Sequence, residues 1–329
     1  MNWNQTNVLI TGAAGFIGRH LTAQLVAAGA NVTALVRYGS RGERRFANLP
    51  NNIDGSTIRI IFGDLKDHHA VHEAARSQHV IFHLGALIGI PYSYVHPYDY
   101  VQTNICGTAH ILQSAKEHKA QCVVVTSTSE VYGTAMVVPI SEEHPLQAQS
   151  PYAASKIAAD QLALSFYRSF DLPVAIVRPF NTYGPGQSGR AVIPTIISQA
   201  LKGGAVKLGS LTPKRDLTFA EDTAAGMIRV AEVPEAIGQV TNLGAGSEVT
   251  IGELAHKIFA IVGRTPDIIT DDARIRPGKS EVMCLLADTT KAKRLLNWSP
   301  KFTLDQGLEK TVRWMRDNPD WVSTDTYAI

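Results

Sequence analysis

The sequence has little of what marks secreted, membrane-spanning or nucleic-acid-binding proteins. Its 329 residues include three cysteines, an odd number spread along the chain, which argues against a disulfide framework and favours a reducing compartment. The formal net charge of +2 is too small to indicate nucleic acid or an acidic membrane surface as a partner. No apolar run approaches the length of a membrane span, and residues 1–7 lack the pattern of a signal peptide. We therefore expect a cytoplasmic globular protein.

What the first half of the chain does contain is an alternation of short apolar strands and helical segments. The two longest helical patterns cover residues 99–118 and 151–170. Apolar strands separated by helices predict an α/β fold with a doubly wound parallel sheet covered on both faces. We assign residues 1–178 to a first domain and residues 179–329 to a smaller lobe, one or two segments of which rejoin the main sheet. The predicted strands are residues 7–10, 31–36, 58–62, 80–84, 121–125 and 174–177.

A glycine-rich turn follows the first predicted strand. The segment Thr11-Gly12-Ala13-Ala14-Gly15-Phe16-Ile17-Gly18 spaces its glycines three residues apart, immediately before an amphipathic stretch. Such glycines permit a tight turn and a close approach of the backbone to a pyrophosphate, which the positive end of the next helix attracts. We therefore predict that residues 1–178 bind a dinucleotide. The predicted contacts in this turn are Gly12, Gly15, Phe16, Ile17 and Gly18.

The end of the second strand bears on which dinucleotide is bound. An acidic residue usually stands there and holds the adenosine ribose hydroxyls. This chain has Arg37-Tyr38-Gly39-Ser40-Arg41 instead, with no carboxylate at the expected position. A guanidinium group suits a 2′-phosphate by charge and by bidentate geometry. Arg37 therefore favours NADP, with NAD as the alternative.

The reaction chemistry is concentrated in two neighbouring segments. An apolar strand ends in Thr126-Ser127-Thr128-Ser129-Glu130-Val131-Tyr132-Gly133, at the edge where open parallel sheets bind ligands. Tyr152 and Lys156 stand four residues apart and so share one helix face. A cation beside a phenol lowers its pKa, which makes Tyr152 a base for a hydroxyl proton. Together with Thr128 and Glu130, this pair predicts an enzyme that oxidises an alcohol and then moves a neighbouring proton.

With these motifs the chain resembles the extended short-chain dehydrogenase/reductase family of nucleotide-sugar enzymes. The resemblance covers essentially the whole chain and implies a Rossmann sheet. It is closest to legionaminic-acid-type 4,6-dehydratases, which act on GDP- or UDP-linked N-acetylglucosamine. Besides the glycine turn, it is carried by the segments Ser127-Thr-Ser-Glu-Val-Tyr-Gly133, Ser150-Pro-Tyr-Ala-Ala-Ser-Lys156, Pro179-Phe-Asn-Thr-Tyr-Gly-Pro185, Arg190-Ala-Val-Ile-Pro-Thr-Ile-Ile197, Lys214-Arg-Asp-Leu-Thr-Phe and Arg276-Pro277.

The resemblance implies a catalytic segment, Thr128, Ser129 and Glu130, acting with Tyr152 and Lys156. Tyr152 takes the proton of the sugar 4-hydroxyl while C4 gives hydride to a tightly bound cofactor that each cycle regenerates. Lys156 holds the nicotinamide ribose, and Thr128 hydrogen-bonds the 4-oxygen. Glu130, which we expect to be partly desolvated, removes the C5 proton and protonates the hydroxyl that leaves C6 as water. Ser129 stands where many dTDP-glucose dehydratases have an aspartic acid, so no separate acid protonates the leaving group.

The resemblance also implies binding roles outside the catalytic segment. Asp64, with Leu65, contacts the adenine, and Leu84 and Ala86 line the cofactor cleft. The substrate diphosphate needs cations, and each candidate lies in a segment that matches the family's substrate-binding motifs. The candidate substrate residues are Asn181, Arg190, Arg215 and Arg276.

Other activities and assemblies stay open at this stage. A 4-epimerase and a UDP-glucuronate decarboxylase share hydride transfer at C4, and a non-catalytic NADP-sensing protein could use the same scaffold. Glu130 favours dehydration, because an epimerase needs no base at C5.

We predict no metal, since the neighbouring histidines at residues 68, 69 and 72 lack further ligands. Small residues on the two long helices favour a homodimer, namely Ala109, Ala115, Ala153, Ala158, Ala159 and Ala163.

Overall fold

A computed structural model describes residues 1–38, 46, 49–50, 54, 56–274, 278 and 281–321. Its strands are β1 (Asn7–Thr11), β2 (Asn31–Val36), β3 (Arg59–Phe62), β4 (Val80–His83), β5 (Cys122–Thr126), β6 (Val174–Pro179), β7 (Asn181–Tyr183), β8 (Val206–Leu208), β9 (Lys214–Phe219), β10 (Val240–Leu243), β11 (Glu248–Thr250), β12 (Ile268–Thr270) and β13 (Cys284–Leu285). Its α-helices are α1 (Phe16–Ala27), α2 (His68–Ala75), α3 (Ile90–Val95), α4 (Pro97–Tyr100), α5 (Gly107–Glu117), α6 (Pro151–Phe170), α7 (Val192–Lys202), α8 (Ala220–Glu232), α9 (Ile251–Val262), α10 (Thr290–Leu296) and α11 (Leu304–Asp317).

The main sheet has seven strands in the order β10-β6-β5-β4-β1-β2-β3, and every neighbouring pair is parallel. Its strands are almost wholly apolar because both faces are covered. Helices α1, α8 and α10 contribute buried side chains such as Leu21, Met227 and Leu296 to the core on one face. Helices α2, α5 and α6 do the same on the other face, for example with Val71 and Ile111. The predicted doubly wound parallel sheet is confirmed.

The later part of the chain forms smaller sheets around a second apolar core. Strand β9 pairs with β7, β11 and β13, and β12 pairs with β8. Helices α7, α9 and α11 pack together here through residues such as Ile196, Ile258 and Val312. Strand β10 belongs instead to the main sheet, where it pairs with β6. The domain boundary at residues 178 and 179 stays a prediction.

One predicted helix differs from the structure. The pattern over residues 99–118 divides into α4, a π-helical turn (Val101–Cys106) and α5. The wide turn lies where the Asn104 side chain accepts from the Leu87 N–H at 2.8 Å and donates to the Leu87 carbonyl at 2.9 Å. A local sequence pattern could not show this, because the contacts of Asn104 with Leu87 are tertiary. Among the described residues, no helix is both long and apolar enough to cross a bilayer.

Candidate active site

The strand order reverses between β1 and β4, which is where an open parallel sheet leaves a crevice for ligands. Thr11 and His83 end these two strands as register partners, and Thr11 Oγ1 lies 2.8 Å from His83 Nδ1. The Gly85 N–H donates to Thr11 Oγ1 at 3.0 Å. On its other side, the His83 ring bonds Thr108 at 3.0 Å. Burial, and then the charge of Lys156, lower the pKa of His83 to about 3, so this bridge is a neutral imidazole.

The predicted glycine turn lies at the same crevice. Gly12 has a φ of +70°, and a Cβ there would lie 2.8 Å from the Gly85 nitrogen. A Cβ on Gly18 would lie 2.2 Å from the Gly12 carbonyl oxygen. Gly15 is the N-cap of α1 and offers no side-chain cap, so the first amides of the helix can donate to an anionic ligand. A backbone cradle that side chains would fill, beside an uncapped helix end, fits the pyrophosphate of a dinucleotide.

A cleft with a volume of about 270 Å³ continues from this turn. Its wall includes six of the residues that the sequence assigns to the cofactor, namely Gly12, Gly15, Arg37, Asp64, Leu65 and Ala86. Ile17 and Leu84 pack instead against the core, and the Phe16 ring meets His20 edge-on at 5.7 Å. The sequence missed Thr11, Thr103 and the ion pair between Lys66 and Asp99, all of which line the cleft.

The structure brings Thr128, Glu130 and Tyr152 together at the ends of β5 and α6. Thr128 caps a 3₁₀ helix (Ser129–Tyr132) by accepting from the Glu130 N–H at 3.2 Å. Thr128 is also hydrogen-bonded to the buried Tyr152 phenol, and the Glu130 charge acts on the same phenol. Glu130 is half-buried, as expected, whereas Ser129 is buried. A hydroxyl, a phenol and a carboxylate therefore meet around one small volume.

The Tyr152 pKa is raised in the structure, whereas the sequence predicts that Lys156 lowers it; the effect of Lys156 itself stays a prediction. Burial raises the pKa of Tyr152, the hydrogen bond with Thr128 lowers it, and the charge of Glu130 raises it again, with a net increase. Lys156 Nζ donates to the Thr126 carbonyl at 2.6 Å. Burial also lowers the pKa of Lys156 to about 8, against the opposing charge of Asp160. Sequence spacing placed these groups on one helix face but could not show whether burial or charge has the larger effect on their pKa values.

The predicted substrate residues have different surroundings. Asn181 opens β7, and its buried Oδ1 has no hydrogen-bond partner among the described residues. Arg190 is exposed, and its charge acts on Tyr100, whose ring lies 6.2 Å from that of Tyr152. Arg215 is buried, and its guanidinium lies 3.1 Å from the Glu281 carboxylate. Arg276 lies outside the described residues.

Several buried polar residues around the site were missed by the sequence analysis. Asn104, from the π-helical turn, donates to Ser155 Oγ at 2.9 Å, beside Tyr152. Asp160 and Arg178 form an ion pair at 3.0 Å that is almost completely buried. The one sequence signal available was the position of Asp160, one turn beyond Lys156 on the same helix face. No local pattern in the sequence indicated Arg178 or Glu281, because each pairs with a residue from another element of the fold.

Comparison with known proteins gives consistent matches. The profile of the GDP-mannose 4,6 dehydratase family matches residues 9–311. The dTDP-glucose 4,6-dehydratase of Streptomyces niveus is 32% identical, over 95% of this chain and 94% of that protein. The UDP-glucose 4-epimerase of Mycolicibacterium smegmatis is 33% identical, over 94% and 98% respectively. The UDP-N-acetyl-alpha-D-glucosaminuronate decarboxylase of Bacillus cytotoxicus is also 33% identical, over 94% and 97%.

Solved structures match as well. DesIV, a dTDP-glucose 4,6-dehydratase from Streptomyces venezuelae crystallised with NAD, superposes with a TM-score of 0.87 at 30% identity, over 97% of this chain and 99% of DesIV. The similar proteins thus include dehydratases, an epimerase and a decarboxylase.

Proposed function

The chain belongs to the GDP-mannose 4,6-dehydratase family, and from that membership we propose that it is a nucleotide-sugar 4,6-dehydratase. One observation carries the proposal: the half-buried Glu130 carboxylate lies close enough to the buried Tyr152 phenol for its charge to act on it. A C4 oxidation alone needs the phenol, whereas elimination also needs a base at the adjacent carbon. The resemblance to legionaminic-acid-type enzymes supports UDP- or GDP-linked N-acetylglucosamine as the substrate.

The cofactor of the proposed reaction is a nicotinamide dinucleotide held by the glycine turn, Arg37 and Asp64. When bound, its oxidised ring would supply a hydride acceptor and a positive charge. Arg37 lines the cleft and supports NADP, because a guanidinium pairs with a 2′-phosphate. NAD stays the alternative, since DesIV was crystallised with NAD.

Each proton in the proposed reaction has a residue to receive it. Tyr152 accepts the proton of the sugar 4-hydroxyl as C4 loses hydride, and Thr128 donates to the 4-oxygen. Lys156 supplies the positive charge that the phenolate needs, from one helical turn away. Glu130 takes the C5 proton, which the new 4-ketone acidifies, and gives a proton to the C6 hydroxyl as it leaves as water. Return of hydride to C6 and of a proton to C5 would leave a 4-keto-6-deoxy sugar, and the proton that C5 regains balances the one that Tyr152 took from the 4-hydroxyl.

The substrate contacts follow from the unpaired and charged groups around this centre. The buried Asn181 Oδ1 would accept from a sugar or ribose hydroxyl, because it has no partner among the described residues. Arg190 and Arg215 would bind the diphosphate. For Arg215, this requires displacement of the Glu281 carboxylate.

We also propose a cytoplasmic homodimer, although not from the small residues on the helices. Ala115, Ala153, Ala159 and Ala163 are buried inside the protomer and therefore serve its core. The support comes from Tyr98, which is 72% exposed, and from the neighbouring Val101, which is 38% exposed. Sedimentation tests the proposal: a monomer at micromolar concentration contradicts it.

The test of function is incubation with UDP- and GDP-linked N-acetylglucosamine and the corresponding glucuronic acids, followed by mass spectrometry. Loss of water supports the dehydratase, whereas loss of carbon dioxide indicates a decarboxylase. Unchanged mass with altered stereochemistry indicates an epimerase, and no turnover indicates a sensing protein. A Glu130→Gln variant should lose dehydration, because an amide cannot accept the C5 proton. Dehydration at a near-normal rate in that variant contradicts the assignment of Glu130.

A further inference from the structure

A buried ion pair lies directly behind the reaction centre. Asp160 is fully buried on α6, two turns beyond Tyr152. Its Oδ2 atom accepts from Ser127 Oγ at 2.8 Å and from Arg178 Nε and Nη2 at 3.1 and 3.0 Å. Ser127 precedes the catalytic Thr128 by one residue. The pair therefore joins the helix that carries Tyr152 to the end of the strand that leads to Glu130.

The contacts continue from Arg178 into the 3₁₀ helix. Arg178 Nη1 donates to the Tyr132 hydroxyl at 3.0 Å, and that hydroxyl donates to Asn242 Oδ1 at 2.7 Å. Asn242, on β10, donates in turn to the Ile140 carbonyl at 3.0 Å. Burial works to lower the pKa of Arg178, but Asp160 and Tyr132 raise it overall, so the guanidinium stays charged. Tyr132 is fully buried and stands two residues after Glu130.

Fold stability alone is a weak reason for such an arrangement. Removing two charges from water costs several kcal/mol for each ion, and apolar replacements of buried ion pairs are often neutral or stabilising. What directional hydrogen bonds provide is a unique geometry. The groups joined here are the two segments whose relative position decides whether a phenol and a carboxylate reach the same sugar.

We propose that Tyr132, held by the Asp160–Arg178 pair, is a positioning residue that sets the 3₁₀ helix so that the Glu130 carboxylate reaches the C5 proton. The inference rests on the proposed dehydratase function. A 3₁₀ helix of four residues has few backbone bonds of its own, so its ends need anchors. Thr128 anchors the first end through the Glu130 N–H, and the Tyr132 hydroxyl anchors the second end.

The position of each anchor predicts which chemical step it affects. The Tyr132 hydroxyl holds the turn that carries Glu130, and its hydrogen bond with Arg178 links that turn to Asp160 on α6. Its loss should therefore slow the elimination and leave C4 oxidation nearly unchanged. Asp160 lies on α6 itself, and its charge acts on both Tyr152 and Lys156. Its replacement should slow both steps.

The experiment compares Tyr132→Phe with the unaltered holoenzyme in single turnovers of a sugar nucleotide that the unaltered protein dehydrates. Rapid-scan absorbance reports C4 oxidation, quenched-flow mass spectrometry reports loss of water, and solvent deuterium at C5 reports proton removal. We expect C4 oxidation within about twofold of normal and deuterium incorporation and water loss slowed about tenfold, a loss of about 1.4 kcal/mol in transition-state stabilisation. Asp160→Asn should slow oxidation and elimination together.

Tyr183→Phe is the matched control. The Tyr183 hydroxyl is also buried and donates to the Leu304 carbonyl at 3.0 Å, but it belongs to the second apolar core. Thermal unfolding of both variants checks that each is folded, and we expect similar melting temperatures. Tyr183→Phe should show no difference between the two steps.

Three outcomes contradict the inference. Equal slowing of oxidation and elimination in Tyr132→Phe means that the hydroxyl stabilises the fold but does not position Glu130. Normal rates for both steps mean that the 3₁₀ helix is positioned without it. Absence of water loss from every sugar nucleotide in the unaltered protein contradicts the proposed function itself, and this inference with it. The first two outcomes leave the dehydratase function intact.

Discussion

The glycine turn at the end of β1 and the reaction centre at the end of β5 lie on the same edge of one sheet but are shaped in different ways. The turn depends on missing side chains, because a Cβ on Gly12 or Gly18 would lie within 3 Å of neighbouring backbone atoms. The reaction centre depends on polar side chains that are present and buried. Asp160, Arg178 and Tyr132 reach it from three different elements.

Because of this difference, we expect opposite kinds of substitution to impair cofactor binding at the glycine turn and catalysis at the reaction centre. Adding an atom should damage the glycine turn, whereas removing an atom should damage the reaction centre. Backbone geometry set by glycines is local in sequence. A buried polar network exists only once distant segments have met.

The largest effect is expected at the reaction centre, from the loss of one oxygen atom. Tyr152→Phe should lower turnover roughly 10³-fold, because proton transfer by a positioned side chain typically contributes about 10²–10⁴-fold. Cofactor affinity should change little. Product formation by mass spectrometry and dinucleotide affinity by fluorescence measure the two quantities. Turnover within tenfold of normal would remove Tyr152 from the mechanism.

At the glycine turn, the gain of one methyl group should have the next largest effect. Gly18→Ala should weaken dinucleotide affinity by roughly 10- to 100-fold, since overpacking typically costs about 1–3 kcal/mol. Gly252→Ala is the control, because its Cβ would meet Leu211 at an ordinary 3.7 Å. Equal affinities in the two variants would show that the turn does not bind the cofactor.

His83 ends β4, the strand between β1 and β5, and its protonation should destabilise the folded protein in acid. Burial, and then Lys156, lower its pKa from 6.5 to about 3. The unfolded chain therefore binds a proton first, and stability is lost as the pH falls from about 6.5 towards 3, by about 5 kcal/mol. In urea unfolding, the free energy of unfolding of His83→Gln should change less with pH over this range. The exposed His256 is the control, and an unchanged slope in His83→Gln contradicts the prediction.

A smaller effect is expected from a substitution that changes the preference of the cofactor site for NADP over NAD. Arg37→Ala should weaken NADP binding roughly tenfold and leave NAD binding unchanged, because only the 2′-phosphate pairs with the guanidinium. Titration of the cofactor-free protein with both dinucleotides measures the ratio. A similar loss of affinity for NAD and for NADP means that Arg37 does not bind the 2′-phosphate.

The smallest effect is expected at Glu281, whose carboxylate competes with the substrate diphosphate for Arg215. Glu281→Gln should tighten the binding of UDP and GDP about threefold, since the charge that now pairs with Arg215 is removed. Glu248→Gln, which breaks the exposed pair with Lys214, is the control. Calorimetry with both nucleotides tests this. Weaker binding in Glu281→Gln would show that the carboxylate contacts the ligand directly.

Much of the fold and of the cofactor end was predictable from the sequence. The parallel sheet, the glycine turn and helix α6 all follow from local patterns, and the family match confirms the prediction of an enzyme. The π-helical turn was not predictable, because the contacts of Asn104 with Leu87 are tertiary. The Tyr152 pKa was predicted in the wrong direction, because helix spacing shows which groups are neighbours but not how deeply they are buried.

The amino-acid sequence by itself determined which elements form and where the backbone can approach a ligand, because apolar periodicity and glycine act over a few residues. It also placed Tyr152 and Lys156 on one helix face. Only the tertiary structure decided that Asp160 meets Arg178, that Tyr132 reaches Asn242 and that Arg215 is held by Glu281. Those contacts join residues that are far apart in the chain, and their strength depends on exclusion of water, which exists only in the folded protein.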